Sequence, residues 1–171
     1  MKNDLLFQLK TSEIEALKLV ISLDVSDLQK SKPNGWSIGL QLQHILDIEQ
    51  LVFESAQTTN IEIDLSNKSE QINHIMLVSE RKFKAPEQFQ PTHEISSISD
   101  FLSSFKVLRT ETYAYIENNS LDLMSEDSHP LFGNLSQHDW FIFLNTHTKR
   151  HIKQIQEILE TIHSNYNGST S

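Results

Sequence analysis

Residues 137–162, QHDWFIFLNTHTKRHIKQIQEILETI, carry the pattern on which the fold turns. Leu144, His147, His151, Ile155, Ile158 and Ile162 recur every three or four residues, so they share one face of a helix. Ser136 followed by Asp139 has capping-box spacing and starts this helix at about Gln137. Three comparable segments lie upstream. Ser12 with Glu15 opens the first, whose stripe of Ile14, Leu17, Ile21, Val25 and Leu28 stops before Ser31-Lys32-Pro33-Asn34-Gly35. Ser37 is placed as N-cap of the second, which runs to about Ala56 on Ile38, Leu42, Ile45, Ile48 and Val52, with Leu40, His44 and Leu51 widening the same face. Ser97 with Asp100 opens the third, striped by Phe101, Phe105, Leu108, Thr112 and Tyr115 and ending near Asn118-Asn119.

The links between helices 1 and 2 and between helices 3 and 4 are short, with His129-Pro130-Leu131-Phe132-Gly133 reading as a loop. Residues 58–97 are polar, include Pro86 and Pro91, and offer one modest helix around Gln71 to Phe83; the remainder reads as an ordered strap. The expected fold class is therefore all-α, a four-helix bundle. The long crossover lets helices 2 and 3 run parallel, giving an up-down-down-up order. One domain over residues 1–163 and a flexible tail over 164–171 complete the expected organisation. Only four Gly and four Pro are present, too few for an all-β chain with a turn every 8–12 residues.

Charge and composition exclude several functions. With 14 Lys+Arg against 23 Asp+Glu the net charge is -9, which argues against a nucleic-acid partner or an anionic membrane surface. The longest apolar run, Trp140 to Leu144, is far short of the roughly 20 residues of a membrane span. MKNDLLFQLK at the start has no extended apolar stretch, so a cytoplasmic protein is expected. The chain has no Cys, which removes disulfides, thiolate ligands and a cysteine nucleophile together. Any transition-metal site must then use imidazole and carboxylate, and eight His are available.

Two of those histidines interrupt the apolar face of the last helix. Residues four apart on a helix have Cβ atoms about 5–6 Å apart, so His147 and His151 could converge on one ion. His44, flanked by Leu40 and Ile48 on the second helix, could approach the same point across the bundle. Spacing alone leaves two readings open, a metal platform and a pair of hydrogen-bonded core histidines. Burial favours the first, because one shared cation satisfies two desolvated rings at once.

Three stretches together resemble a known family. HPLFGNLSQHDWFIFLNTHTKRHIKQI, His129 to Ile155, is similar to the C-terminal part of DinB-like proteins of the YfiT-like metal-dependent hydrolase group. GWSIGLQLQHILDIE, Gly35 to Glu49, resembles that family's Trp-Ser signature before the helix bearing its first histidine, and FKAPEQFQP, Phe83 to Pro91, its stretch before the third helix. The resemblance implies that His44, His147 and His151 are three metal ligands, that the bundle runs up-down-down-up, and that the protein is a homodimer. It implies no single activity: relatives include transferases that join a low-molecular-weight thiol to an electrophile, and hydrolases. A three-histidine site leaves a coordination position open, where a water or thiol substrate would be activated. Imidazole suits several divalent metals; zinc or nickel rank first, with iron or manganese behind. The alternative is a non-catalytic bundle that binds metal or a small ligand, in a stress response for example.

Asp47, one turn after His44, is the candidate catalytic carboxylate, as a base or a ligand-orienting group; an exposed helix-surface carboxylate is the competing reading. His129 and Pro130 read as loop-fixing residues with Phe132 plugging the bundle end, and Trp36 and Trp140 as packing at helix starts. Arg150 is expected to meet an acidic residue or an interface. His74, His93, His138 and His163 read as surface.

Overall fold

The structure, a computed structural model, describes residues 2–58, 67–78 and 85–167, with side chains described up to residue 162. It is mostly helical, with four long helices: α1 (Lys2–Ile21), α2 (Ile38–Gln57), α4 (Ile98–Asn118) and α5 (Gln137–Asn167). A five-residue α3 (Ser69–Asn73) runs into a π-turn, His74–Val78, and 3-10 turns occupy Val25–Gln29 and Glu87–Phe89. The all-α expectation needs one correction. The HPLFG loop closes an antiparallel hairpin of β1 (Met124–His129) and β2 (Gly133–Ser136), paired Met124 with Ser136, Ser128 with Asn134 and His129 with Gly133. Its turn forms because Gly133 adopts φ 70°, open to glycine at no steric cost, and because His129 Nδ1 accepts from Leu131 N–H at 3.0 Å and Phe132 N–H at 3.3 Å.

Three expected helix starts match the caps. Ser37 Oγ accepts from Leu40 N–H at 3.1 Å, Ser97 Oγ from Asp100 N–H at 3.3 Å, and Ser136 Oγ from Asp139 N–H at 3.1 Å. Ser12 is different. The first helix starts ten residues earlier, and Ser12 is buried within it, donating to the Leu9 carbonyl at 2.9 Å. The core face of α1 is Leu5, Leu9, Ser12, Ala16 and Val20, whereas Ile14, Ile21 and Val25 of the expected stripe are exposed. Both series keep helical period; the buried one uses small Ser and Ala, which admit close neighbours but score poorly as apolar. The expected helix over Gln71 to Phe83 begins at Ser69, and its described part ends in the π-turn. Positions 79–84 of that expectation, 59–66 of the strap and 168–171 of the expected tail lie outside the described residues; α5 itself continues to Asn167.

α1 and α2 each pack against both α4 and α5. Side-chain bonds record the alignment: Lys2 Nζ donates to the Asn119 carbonyl and Arg109 reaches the Leu9 carbonyl at 3.4 Å; Gln41 meets His151 at 3.3 Å while Gln137 donates to the Ala56 carbonyl at 2.5 Å. Along α2 and α4, Glu49 pairs with Arg109 at 2.5 Å and Tyr115 O–H donates to the Ala56 carbonyl at 2.7 Å. Gly39 lets two segments close on the first turn of α2, since a Cβ there would stand 3.2 Å from both the Ile95 and the Leu28 carbonyl oxygens. No helix among the described residues is long and apolar enough to cross a membrane.

The centre of the packed helices is ionic. Arg109 and Glu49 are each 0% exposed; Arg109 Nη2 also meets Thr148 Oγ1 at 3.1 Å, and Thr148 donates to Glu49 at 2.9 Å. Burial pushes the Glu49 carboxyl up, while Arg109 and the Thr148 hydroxyl pull it back down. Removing one partner leaves a charge buried without its counter-ion. Arg109→Met is expected to destabilise the chain by about 3–5 kcal/mol in urea denaturation, and the Glu49→Leu/Arg109→Met double variant by less than the sum of the singles. Additive losses would contradict the coupling.

Candidate metal centre

α2 and α5 face one another, and the polar residues on their shared face meet. His44 comes from α2, and His147 and His151 from successive turns of α5. They are 4%, 6% and 8% exposed, and one ligand nitrogen from each lies within 4.8 Å of the others. The rings pack edge-on or tilted, with centroids 4.9 Å apart for His44–His147 and His44–His151 and 4.5 Å for His147–His151. Nε2 of His44 and Nε2 of His147 stand 3.1 Å apart. A tetrahedral ion with Zn–N bonds of roughly 2.0–2.1 Å holds its ligands about 3.3 Å apart, close to that separation.

Electrostatics prepare the rings as neutral donors. Burial lowers His44 to about 4, against the opposing pull of Asp47 and of the Phe89 backbone. His147 and His151 are held well below 6.5, first by burial, then by the neighbouring histidines and the Arg150 guanidinium. Near pH 7 all three carry a free lone pair, so a cation binds without displacing a proton. Nδ1 of His44 and Nδ1 of His147 are buried without hydrogen-bond partners. Two desolvated, under-satisfied imidazoles beside a third are a donor set suited to a divalent transition metal.

Around this trio the structure departs from several expectations. Trp36 does more than pack at a helix start: half-buried, it sits edge-on to His44 at 4.9 Å and stacked over His151 at 6.4 Å, walling one side. Phe143 walls His147 at 5.4 Å. Trp140 is buried against Phe143 and His129, as expected of a packing residue. His129 fixes its loop, and burial lowers it to about 4. Arg150 donates to the Ile75 and Met76 carbonyls of the π-turn at 3.4 and 3.0 Å. Asp47 is exposed and accepts from Gln43 Nε2 at 2.8 Å; it bears on the site through its field on His44. His74 and His93 are exposed, His138 is half-buried beside Asp139 at 3.9 Å, and the side chain of residue 163 lies outside the described set. Gln41, whose Oε1 is 3.3 Å from His151 Nδ1, was missed. A polar residue one turn before His44 on a buried stripe was the available signal.

The sign of the pH dependence follows from these shifts. Folded pKa values of about 4 for His44 and His129 lie below the ordinary 6.5 that unfolding restores. Between those limits the unfolded chain holds more protons. The stability is fully present above 6.5 and is lost as pH falls through the window, by up to about 1.4 kcal/mol per pH unit per ring. The urea midpoint of metal-free protein is therefore expected to fall steadily from pH 7 to pH 5; a flat profile would show that these rings are not buried neutral.

Comparison with known proteins supplies a family. No solved structure matches the chain. It is 28% identical over 139 residues to an uncharacterized protein, YuaE, of Bacillus subtilis (strain 168), an alignment covering 78% of this chain and 83% of YuaE. The family model described as the DinB superfamily matches residues 8–155, a span that includes all three histidines. The chain belongs to the DinB superfamily.

Proposed function

We propose that this protein binds a divalent transition metal ion, zinc or nickel foremost and iron or manganese less readily, through His44, His147 and His151. We further propose that it is a metal-dependent enzyme, a low-molecular-weight thiol S-transferase or a hydrolase acting on a small molecule. The observation that carries the reading is the buried trio with its ligand atoms within 4.8 Å. When bound, such an ion supplies a Lewis acid with at least one open position, lowering the pKa of a water or thiol towards neutrality. Trp36 and Phe143 restrict water around the rings. Any thiol must arrive with the substrate, because the chain has no Cys. Asp47 is the proposed proton acceptor: exposed and one turn beyond His44, it can exchange protons with solvent.

A second reading, metal or small-ligand binding without turnover, is favoured by the engagement of Asp47 with Gln43 and by the apolar surroundings of the trio. Metal analysis of untagged protein is the first test. About one ion per chain is expected after reconstitution, lost in His147→Ala; negligible uptake would remove the metal-dependent enzyme and the metal binder together, leaving only small-ligand binding. Metal-dependent disappearance of a free thiol in the presence of an electrophile, or hydrolysis abolished by chelation, would separate the enzyme from the binder.

The up-down-down-up order is part of the same reading, supported by the residue pairs that align α2 with α4 and oppose α2 to α5. So is homodimerisation. Phe7, Ile14 and Ile21, spaced seven apart on α1, are 70%, 52% and 66% exposed, a seam-like stripe that a second copy would cover. Light scattering is expected to give twice the chain mass, falling to one in Ile14→Lys; a monomer at micromolar concentration would refute this.

A further inference from the structure

Gln41 is buried on α2, within the stripe that continues through Ile38, Leu42 and Ile45. Its Oε1 stands 3.3 Å from Nδ1 of His151, across the α2–α5 interface. An amide oxygen can only accept, so this bond requires the His151 proton on Nδ1. The lone pair then lies on Nε2, the same nitrogen through which His44 and His147 face each other. His147 has no equivalent support, since its Nδ1 is unpartnered, while His44 has only the Phe89 backbone beside it.

We propose that Gln41 is a positioning residue of the centre: by holding His151 in the Nδ1–H tautomer it aims Nε2 into the cluster and sets the affinity for the ion. The affinity half rests on the three-histidine metal reading; the tautomer half does not. A ring whose second nitrogen is hydrogen-bonded loses less orientational freedom on ligation and is a stronger base, and outer partners of this kind are worth about 10–100-fold in metal affinity. Gln is suited to the place because it supplies this acceptor without adding a charge to a nearly water-free core.

The test compares the unaltered chain with Gln41→Leu and Gln41→Glu. In metal-free protein at pH 7.5, long-range nitrogen–proton NMR correlations of His151 report its tautomer; cobalt titration followed by absorbance reports affinity and coordination. The unaltered chain is expected to show His151 protonated on Nδ1. Gln41→Leu should lose that preference and weaken cobalt binding by about 10–100-fold, whereas Gln41→Glu, which keeps the acceptor, should retain the tautomer and bind at least as tightly. His151 protonated on Nε2 in the unaltered chain, or unchanged tautomer and affinity in Gln41→Leu, would overturn the proposal. Should Gln41→Leu fail to fold, the unaltered tautomer and the Glu variant still decide it. An Nδ1–H tautomer with no cobalt uptake would overturn the affinity half together with the metal reading, leaving the tautomer assignment standing.

Discussion

The buried guanidinium of Arg109 is the constraint on which the other packing decisions depend. With Glu49, Thr148 and the Leu9 carbonyl it joins one residue from each long helix. A charge at 0% exposure is tolerable only where its partners are in place, so any sliding of one helix leaves a buried ion uncompensated. Apolar contacts are less selective, since a Leu displaced by one turn still meets other apolar groups. The ionic centre therefore sets register, while the apolar clusters on either side of it supply most of the driving force.

That register is also the register of the candidate metal centre. Thr148 is adjacent in sequence to His147, and Glu49 lies five residues beyond His44 on α2. The Glu49–Thr148 bond at 2.9 Å thus fixes α2 against α5 next to the point where His44 and His147 come within 3.1 Å. At one end of α2, Gly39 permits contact with the Leu28 and Ile95 carbonyls, anchoring the turn that carries Trp36. Precision at the histidines is inherited from these neighbours. None of them contributes a ligand.

Much of this was legible locally. Ser37, Ser97 and Ser136 cap helices because a side-chain oxygen three residues before an unpaired N–H is a property of a few adjacent residues. The trio was legible for a similar reason: histidines at core positions of two helices violate the pattern around them. α1 was misread because a local rule had two valid answers. Its sequence holds one stripe rich in Ile and another containing Ser12 and Ala16, and only the neighbours decide which faces inward.

The sequence by itself determined where α2, α4 and α5 begin, which of their faces are apolar, and which three histidines stand on those faces, because periodicity and capping act over a few residues. Tertiary structure decided the rest: the buried face of α1, the hairpin closed by His129 and Gly133, the ionic centre at Arg109, and the approach of Trp36 and Gln41 to His151. These are pairings between residues as far apart as Gln41 and His151, and which partners meet is set by the one alignment of the helices that leaves no buried charge alone.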